Sequence, residues 1–314
     1  MASIDILVPS LAVATTGNSV TAERYQQLFV SLGHEARLCA SPSGRADLVV
    51  ALNAYRSAEG IASAGACPVI VVLTGTDIYR FLDEDPVRVR SALDRASWLV
   101  GLNDLTGRAL EPQHREKLVV IKEAACVGLA RRPAAVGFNA VVVGHLRDEK
   151  DPALVAEAVG DLPELSPVQV VHYGAAHSPE WARWARGESQ TNSRFEWRGP
   201  VPRQEIEQAY AASHVLINSS RMEGGANTIS EAVMSGLPIL ASEIPGNVGV
   251  LGLDYPGYFE AGNAGSLRRA LVEISTTPAK LDELTRAVVS RQPSFSHDVK
   301  TDRWTQLLSR AGFE

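Results

Sequence analysis

The sequence predicts an α/β protein made of two doubly wound parallel-sheet domains in succession. Three observations predict it. Short, nearly continuous apolar runs alternate with helical stretches from end to end, the pattern of parallel strands covered on both faces by crossover helices. The alternation breaks at Arg131-Arg132-Pro133-Ala134-Ala135 and restarts at Asn139. The 314 residues suffice for two independent cores at ~100–200 residues each.

In the first half, strands are expected over residues 4–8, 36–39, 48–52, 69–73, 98–102 and 118–121. Helices are expected over 21–32, ending at Gly33, and over 86–96. In the second half, strands are expected over 139–143, 168–173, 214–218 and 238–241, with helices near 152–159, 203–212 and 227–234. The remainder reads as helices over 266–274, 279–290 and 298–309. In such folds ligands bind outside the carboxyl ends of the strands, so a cleft between the halves is the expected site.

Composition and missing motifs narrow the function. A net charge of −6 offers no basic excess to displace counterions from nucleic acid or to hold an anionic bilayer. Cys39, Cys67 and Cys126 stand far apart with no CxxC pair, which supports neither a disulfide framework nor a zinc cluster. The N-terminus MASIDILVPS is strand-like with no basic leader, and no apolar run reaches the ~18 residues of a membrane span. A cytoplasmic, soluble protein is expected. There is no GxxxxGK[ST], no GxGxxG after the first strand and no GxSxG, which argues against a P-loop NTPase, a nicotinamide or flavin dehydrogenase and a serine hydrolase.

The strongest chemical signal is residues 220–242, SRMEGGANTISEAVMSGLPILAS, between two apolar strands. Gly224 and Gly225 open a helix, where backbone N–H groups and the helix dipole favour an anion and the missing β-carbons let a phosphate come close. Glu223 stands before the helix and Glu231 about two turns into it. Helical side chains lean toward the N-terminus, so Glu231 suits a pair of ribose hydroxyls, while Glu223 suits the hydroxyls of a sugar. The second signal is residues 143–152, VGHLRDEKDP. It puts Arg147 and Lys150 at a strand's carboxyl end, where cations can meet a diphosphate. Asp151 or its neighbour is expected to cap the helix that starts near Pro152.

Together these strings resemble the GT-B glycosyltransferases of the GT4 type. Glu223 and Glu231 match that family's E-x7-E motif, Gly236 and Pro238 its following turn, and Lys150 its lysine. His145 stands where the family has arginine, and Arg147 two residues on is the candidate replacement. The chain resembles one narrower group still, the selenosugar synthases of selenoneine biosynthesis. That likeness rests on VGHLRDEKDP, SRMEGGAN and GNVGVLGLDYPGYF (246–259), with VLTGTDIYR (72–80) and TGNSVTAER (16–24) in the first half.

The resemblance implies a GT-B fold, two Rossmann-like domains facing a cleft. Residues 1–134 would bind acceptor, 136–285 the UDP-sugar, and 286–314 would cross back so that Trp304, Leu307 and Leu308 pack on the first domain. It implies transfer of a hexose from UDP-N-acetylglucosamine or UDP-glucose to selenophosphate, giving a 1-selenosugar, UDP and phosphate. Selenophosphate is anionic and strongly nucleophilic, so no base is needed to strip a proton. Donor contacts are then expected from Gly17, His145, Arg147, Lys150, Met222, Glu223, Gly224, Gly225, Ala226 and Glu231. Acceptor contacts are expected from Asn18, Thr21, Arg24, Thr76, Asp77 and Arg80, and catalytic roles from Glu223, Arg221 and Lys150. The UDP-sugar is a co-substrate, and neither a cofactor nor an essential metal is expected. Rival readings are a GT4-type transferase with a small hydroxyl or thiol acceptor, a nucleotide-sugar binder without turnover, and a sugar-nucleotide epimerase.

Other features receive structural readings. Asp83-Glu84-Asp85 looks like a metal-binding DxD, but Asp85 before Pro86 reads better as a helix cap. His34, His114, His172, His177, His214 and His297 lack ligand spacing. Trp181 and Trp184 read as packing, and Cys126 as a buried or partly buried structural thiol.

Overall fold

A computed structural model describes residues 1–9 and 17–313. Thr16, the first residue of TGNSVTAER, lies outside the described residues. The chain divides into two compact units, Met1–Glu123 with the segment from His297 onward, and Ala124–Ser296.

The first unit holds strands β1 (Ser3–Leu7), β2 (Glu35–Cys39), β3 (Leu48–Leu52), β4 (Val69–Leu73), β5 (Trp98–Gly101) and β6 (Leu118–Val120). All pairs are parallel, in the order β2-β1-β3-β4-β5-β6. Every residue of β3 and β4 is buried, as their unbroken apolar runs require of strands covered on both faces. The helix Gly17–Ser31 buries Thr21, Ala22, Tyr25 and Phe29, one stripe at helical spacing. It begins four residues before the expected start, because Gly17-Asn18-Ser19-Val20 wind as its first turn. Asp85 caps the helix Pro86–Arg95, its Oδ1 accepting from the Arg88 N–H at 3.3 Å, so the acidic triplet is a helix start.

The C-terminal helix His297–Arg310 belongs to this unit. Trp304, fully buried, meets Tyr25 and Phe29 edge-on at 5.0 and 5.1 Å between ring centroids. Beside it Lys300 donates to Glu123 Oε2 at 2.6 Å while the Tyr25 hydroxyl donates to Glu123 Oε1 at 2.7 Å. A buried carboxylate is tolerable only with such compensation.

The second unit holds β7 (Phe138–Val143), β8 (Val168–Tyr173), β9 (Phe195–Gly199), β10 (Val215–Asn218), β11 (Ile239–Ser242) and β12 (Tyr258–Phe259). Its parallel order is β12-β11-β10-β7-β8-β9, the arrangement of dinucleotide-binding sheets. β9 and β12 were not expected. β12 is two residues long, and β9 at the sheet edge alternates buried and exposed positions around Glu196 and Arg198. The division falls after Glu123, ahead of the Arg-Arg-Pro break, because the intervening segment is bonded to the second unit. The Ala125 N–H donates to Phe295 O, the Arg132 N–H to Ala211 O, and the Arg131 guanidinium to the carbonyls of Gly236, Ser213 and His214. The same packing places residues 286–296 in that unit. Among the described residues no helix is long and apolar enough to cross a membrane.

Candidate functional site

Strand order locates the site in the second unit. Connections run one way from β7 through β8 to β9, and the other way from β10 through β11 to β12. β7 and β10 are therefore the neighbours at the topological switch point, where the loops leave their carboxyl ends in opposite directions and open a crevice. The loop after β7 is Gly144-His145-Leu146-Arg147, and the loop after β10 is Ser219-Ser220-Arg221-Met222-Glu223. Both sequence signals thus leave the two strands that form the crevice.

The β7 loop is held from beneath. A β-carbon on Gly174, whose φ is +146°, would lie 2.0 Å from Gly144 O, so the loops after β7 and β8 touch through bare backbone. The Leu146 N–H donates to Ala175 O, the His177 N–H to Leu146 O, and the Ala175 N–H to His145 Nδ1 at 3.2 Å. His172 is buried in β8 and donates from Nε2 to Gly144 O at 2.9 Å. Burial pushes its imidazole down to about 4 despite that bond. A 3₁₀ turn, Asp148–Lys150, follows and stops at Asp151 in the left-handed region with φ 45°. Asp151 occupies the N-cap position of the helix Pro152–Gly160 but makes no side-chain cap. Its carboxylate instead accepts from Arg221 Nε at 2.8 Å.

The two loops are stitched together. Ser219 Oγ donates to Lys150 O at 2.9 Å and the Arg221 N–H donates to Glu149 O at 2.9 Å. Across the seam the Lys150 ammonium pairs with Glu223 Oε1, which also accepts from Ser220 Oγ at 2.6 Å. Burial raises the Glu223 carboxyl, yet the charge and hydrogen bond of Lys150, the Ser220 hydroxyl and the charge of Arg147 outweigh it. The group therefore stands below its ordinary value and is ionised. A β-carbon on Gly246 would lie 2.0 Å from Glu223 O, so the start of the helix Pro245–Leu251 sits directly against the Glu223 backbone. Beneath, Ser242 Oγ donates to Ser220 O, and Asn247 Nδ2 donates to Asn218 Oδ1 and Ser242 O.

Met222, Gly224, Gly225 and Ala226 lead into the helix Asn227–Met234, which has Ala226 at its N-cap and no side-chain cap. Glu231 therefore stands one turn into the helix, not two, because winding begins at Asn227 and not at the glycines. It is buried, its Oε1 accepting from Arg203 Nη1 at 2.8 Å and its Oε2 from the Tyr210 hydroxyl at 3.2 Å. Arg147 differs from its neighbours: its nearest carboxylate, Glu149, is 3.8 Å away, and its buried Nε has no hydrogen-bond partner among the described residues.

The remaining candidates lie in the first unit. Gly17 and Asn18 form the first turn of the helix Gly17–Ser31, and Thr21 is buried one turn further in rather than at the strand–helix turn. Arg24 is half-buried, and its charge acts on Tyr25, Lys300 and His297. Thr76 Oγ accepts from Asn53 Nδ2 at 3.0 Å. Arg80 is an exposed side chain paired with Glu84 at 2.9 Å. Asp77 needs correction as an acceptor contact. It is fully buried, and its oxygens accept from the N–H groups of Ala54, Thr74, Gly75 and Ile78; burial outweighs these bonds and raises its pKa. Its work is to hold the loops after β3 and β4. Cys126 is exposed, not buried, and Trp181 and Trp184 pack edge-on at 5.3 Å.

Arg203, Tyr210, Asn247 and His172 escaped sequence reasoning. Arg203 and Tyr210 fall seven apart on a polar helix, a spacing that marks a shared face but not what the face meets. Among the described residues no three or more His, Cys, Asp or Glu side chains converge as a metal site.

Comparison with known proteins bears on the fold and on residues 137–288. Residues 137–288 match the family model described as "Glycosyl transferases group 1". A curated Xenopus tropicalis protein, "Glycosyltransferase 1 domain-containing protein 1", is 25% identical over 174 residues, 54% of this chain and 49% of that protein. The match thus spans about half the length of that relative. Among solved structures, HepE from Anabaena in complex with UDP-glucose superposes with a TM-score of 0.78 at 14% identity, covering 99% of this chain and all of the other. Sucrose-phosphate synthase from Thermosynechococcus elongatus gives 0.80 at 14% identity over 98% of each chain. Identities this low speak for the fold. The chain has the two-domain GT-B fold, and its residues 137–288 match the glycosyl transferases group 1 family model.

Proposed function

We propose that the protein is a UDP-sugar-dependent glycosyltransferase acting on a small anionic acceptor, selenophosphate. One observation carries the reading: Lys150 and Glu223, from the two loops at the switch point, meet beside the glycine-led start of the helix Asn227–Met234. A cation, a helix start without a side-chain cap and nearby carboxylates together suit a nucleoside diphosphate joined to a sugar. Arg147 and Lys150 would bind the diphosphate, with Gly224 and Gly225 admitting it close to the backbone. Glu231 would accept from the ribose hydroxyls and Glu223 from hydroxyls of the transferred hexose. The UDP-glucose bound to HepE supports this choice of donor.

The state of Glu223 supports an acceptor that needs no general base. A carboxylate held below its ordinary pKa by Lys150 is a poor proton acceptor, whereas selenophosphate arrives already ionised. Its selenium would attack the anomeric carbon as the C1–O bond breaks, and UDP would leave with the electron pair. Water then cleaves the Se–P bond, releasing phosphate and the 1-selenosugar. Lys150, Arg147 and the helix N-terminus would stabilise the negative charge growing on the departing diphosphate.

The test is incubation with UDP-N-acetylglucosamine or UDP-glucose, with and without selenophosphate. The expected result is UDP release that depends on selenophosphate, with a selenium-containing sugar in the mass spectrum. No stimulation by selenophosphate with any donor overturns the acceptor assignment, and no binding of UDP or UDP-sugars overturns the site.

A further inference from the structure

The helix Arg203–Ala212 presents Arg203, Glu207 and Tyr210 at i, i+4 and i+7, hence on one face. All three take part in one arrangement. Glu207 accepts from Arg203 Nε at 3.2 Å, which steadies the guanidinium from its own helix. Arg203 Nη1 then reaches Glu231 Oε1 at 2.8 Å, and the Tyr210 hydroxyl reaches Oε2 at 3.2 Å. Glu231 is 8% exposed and Tyr210 2%. A carboxylate so enclosed needs hydrogen-bond compensation, and Arg203 and Tyr210 each supply a donor to it, on different oxygens.

From this geometry we infer that Arg203 and Tyr210 are positioning residues for nucleotide recognition. They fix the plane of the Glu231 carboxylate, so that it can accept from the two hydroxyls of a ribose. The inference rests on the proposed assignment of Glu231 to the ribose. A diol is neutral, so its binding does not require Arg203 to give up its partner, as binding of a second anion would. A carboxylate accepts about four hydrogen bonds, so the Arg203 and Tyr210 bonds do not by themselves exhaust what Glu231 can accept. Preference for ribo- over deoxyribonucleotides would then run through residues that never touch the nucleotide.

The test measures the affinities of UDP and 2′-deoxy-UDP by titration calorimetry for wild type, Glu231→Ala, Arg203→Gln, Arg203→Lys and Tyr210→Phe. The Arg203 side chain is 53% exposed and Tyr210→Phe removes a single oxygen, so both sites tolerate change; thermal melts confirm folding. Wild type should prefer UDP by roughly 10–100-fold, the range of hydrogen bonds to a charged group. Arg203→Gln should shrink that ratio about tenfold and Tyr210→Phe about threefold. Both should change 2′-deoxy-UDP affinity less than about threefold, with Arg203→Lys between wild type and Gln. Equal weakening of both nucleotides, or an unchanged ratio in both variants while Glu231→Ala abolishes it, overturns the positioning role. An unchanged ratio in Glu231→Ala itself overturns the ribose assignment beneath it.

Discussion

Replacing Glu223 by Gln should tighten UDP binding while slowing transfer. Lys150 is held in an ion pair with Glu223, so a diphosphate bound there would share the ammonium with an existing anion. An anion on the far side of Lys150 would lie ~5–6 Å from the carboxylate. At an effective dielectric of about 20 the repulsion is roughly 3 kcal/mol. The Lys150 side chain is 19% exposed, and water reduces the figure to about half. Glutamine keeps the shape and can still accept from Ser220 Oγ, but carries no charge. UDP affinity measured by calorimetry should therefore rise about tenfold. Turnover should fall by roughly 10–100-fold, because a charge-assisted bond to the transferred sugar is lost. UDP affinity that is unchanged or weaker in a folded Glu223→Gln protein refutes the shared-cation reasoning, and an unchanged kcat refutes the contact with the sugar.

Three further perturbations test the scaffold. Gly246→Ala would place a methyl 2.0 Å from Glu223 O, so UDP affinity should drop at least about tenfold. Gly187→Ala, whose β-carbon meets nothing within 4 Å inside the helix Pro179–Thr191, should instead raise stability by ~0.5–1 kcal/mol; equal UDP affinity for both variants contradicts the close-approach account. His172, neutral in the fold down to about 4, takes a proton near 6.5 once unfolded. Its contribution is thus fully present above 6.5 and is lost as the pH falls toward 4, at up to ~1.4 kcal/mol per pH unit. His34 and His214 shift the same way, so the observable is the difference from His172→Gln in urea unfolding at pH 7.0, 5.5 and 4.5. Parallel pH profiles for the two proteins contradict the assignment. Lys300→Ala strands Glu123 in the core of the first unit and should cost ~3–5 kcal/mol, read as an earlier denaturant transition. Lys300→Met with Glu123→Gln should cost distinctly less, and equal losses would mean that the charge is not what matters.

Sequence patterning made the strands at the switch point legible because each contains an unbroken apolar run, Ala140–Val143 in β7 and Val215–Ile217 in β10. The loops that follow β7 and β10 were therefore readable together with their charges. Helix starts were harder to read. Gly17 and Asn18 are helical although a glycine and an asparagine suggest a turn, because Thr21, Ala22, Tyr25 and Phe29 bury a stripe that carries the helix back to them. Glu231 was placed a turn too deep for the opposite reason, the glycines staying outside the helix. Asp77 looked like a cleft residue at a strand end, yet four backbone N–H groups converge on it from two loops. Ala54 lies twenty-three positions from it. Convergence over such separations leaves no local pattern, and Arg203 with Glu231 and Lys300 with Glu123 were hidden in the same way.

The paired environments of Glu223 and Glu231 explain how an acidic motif can sit in a site proposed for a diphosphate. The eight-residue spacing straddles a helix start, so one glutamate stands before the N-terminus and the other one turn inside it. Each has its own cation from a different element, Lys150 from the β7 loop and Arg203 from the helix before β10. Arg221 is likewise matched by Asp151. These three pairs leave little net field for an incoming anion. Arg147 stands apart, with its nearest carboxylate 3.8 Å off and a buried Nε that has no partner among the described residues. In the proposed site, long-range attraction of a diphosphate would therefore fall mainly to Arg147 and the helix start. Lys150 would act at contact, where a diphosphate would compete with Glu223 for it. Such a division would let Glu223 stay ionised and fixed for a sugar while the charge that draws the donor comes from a neighbour.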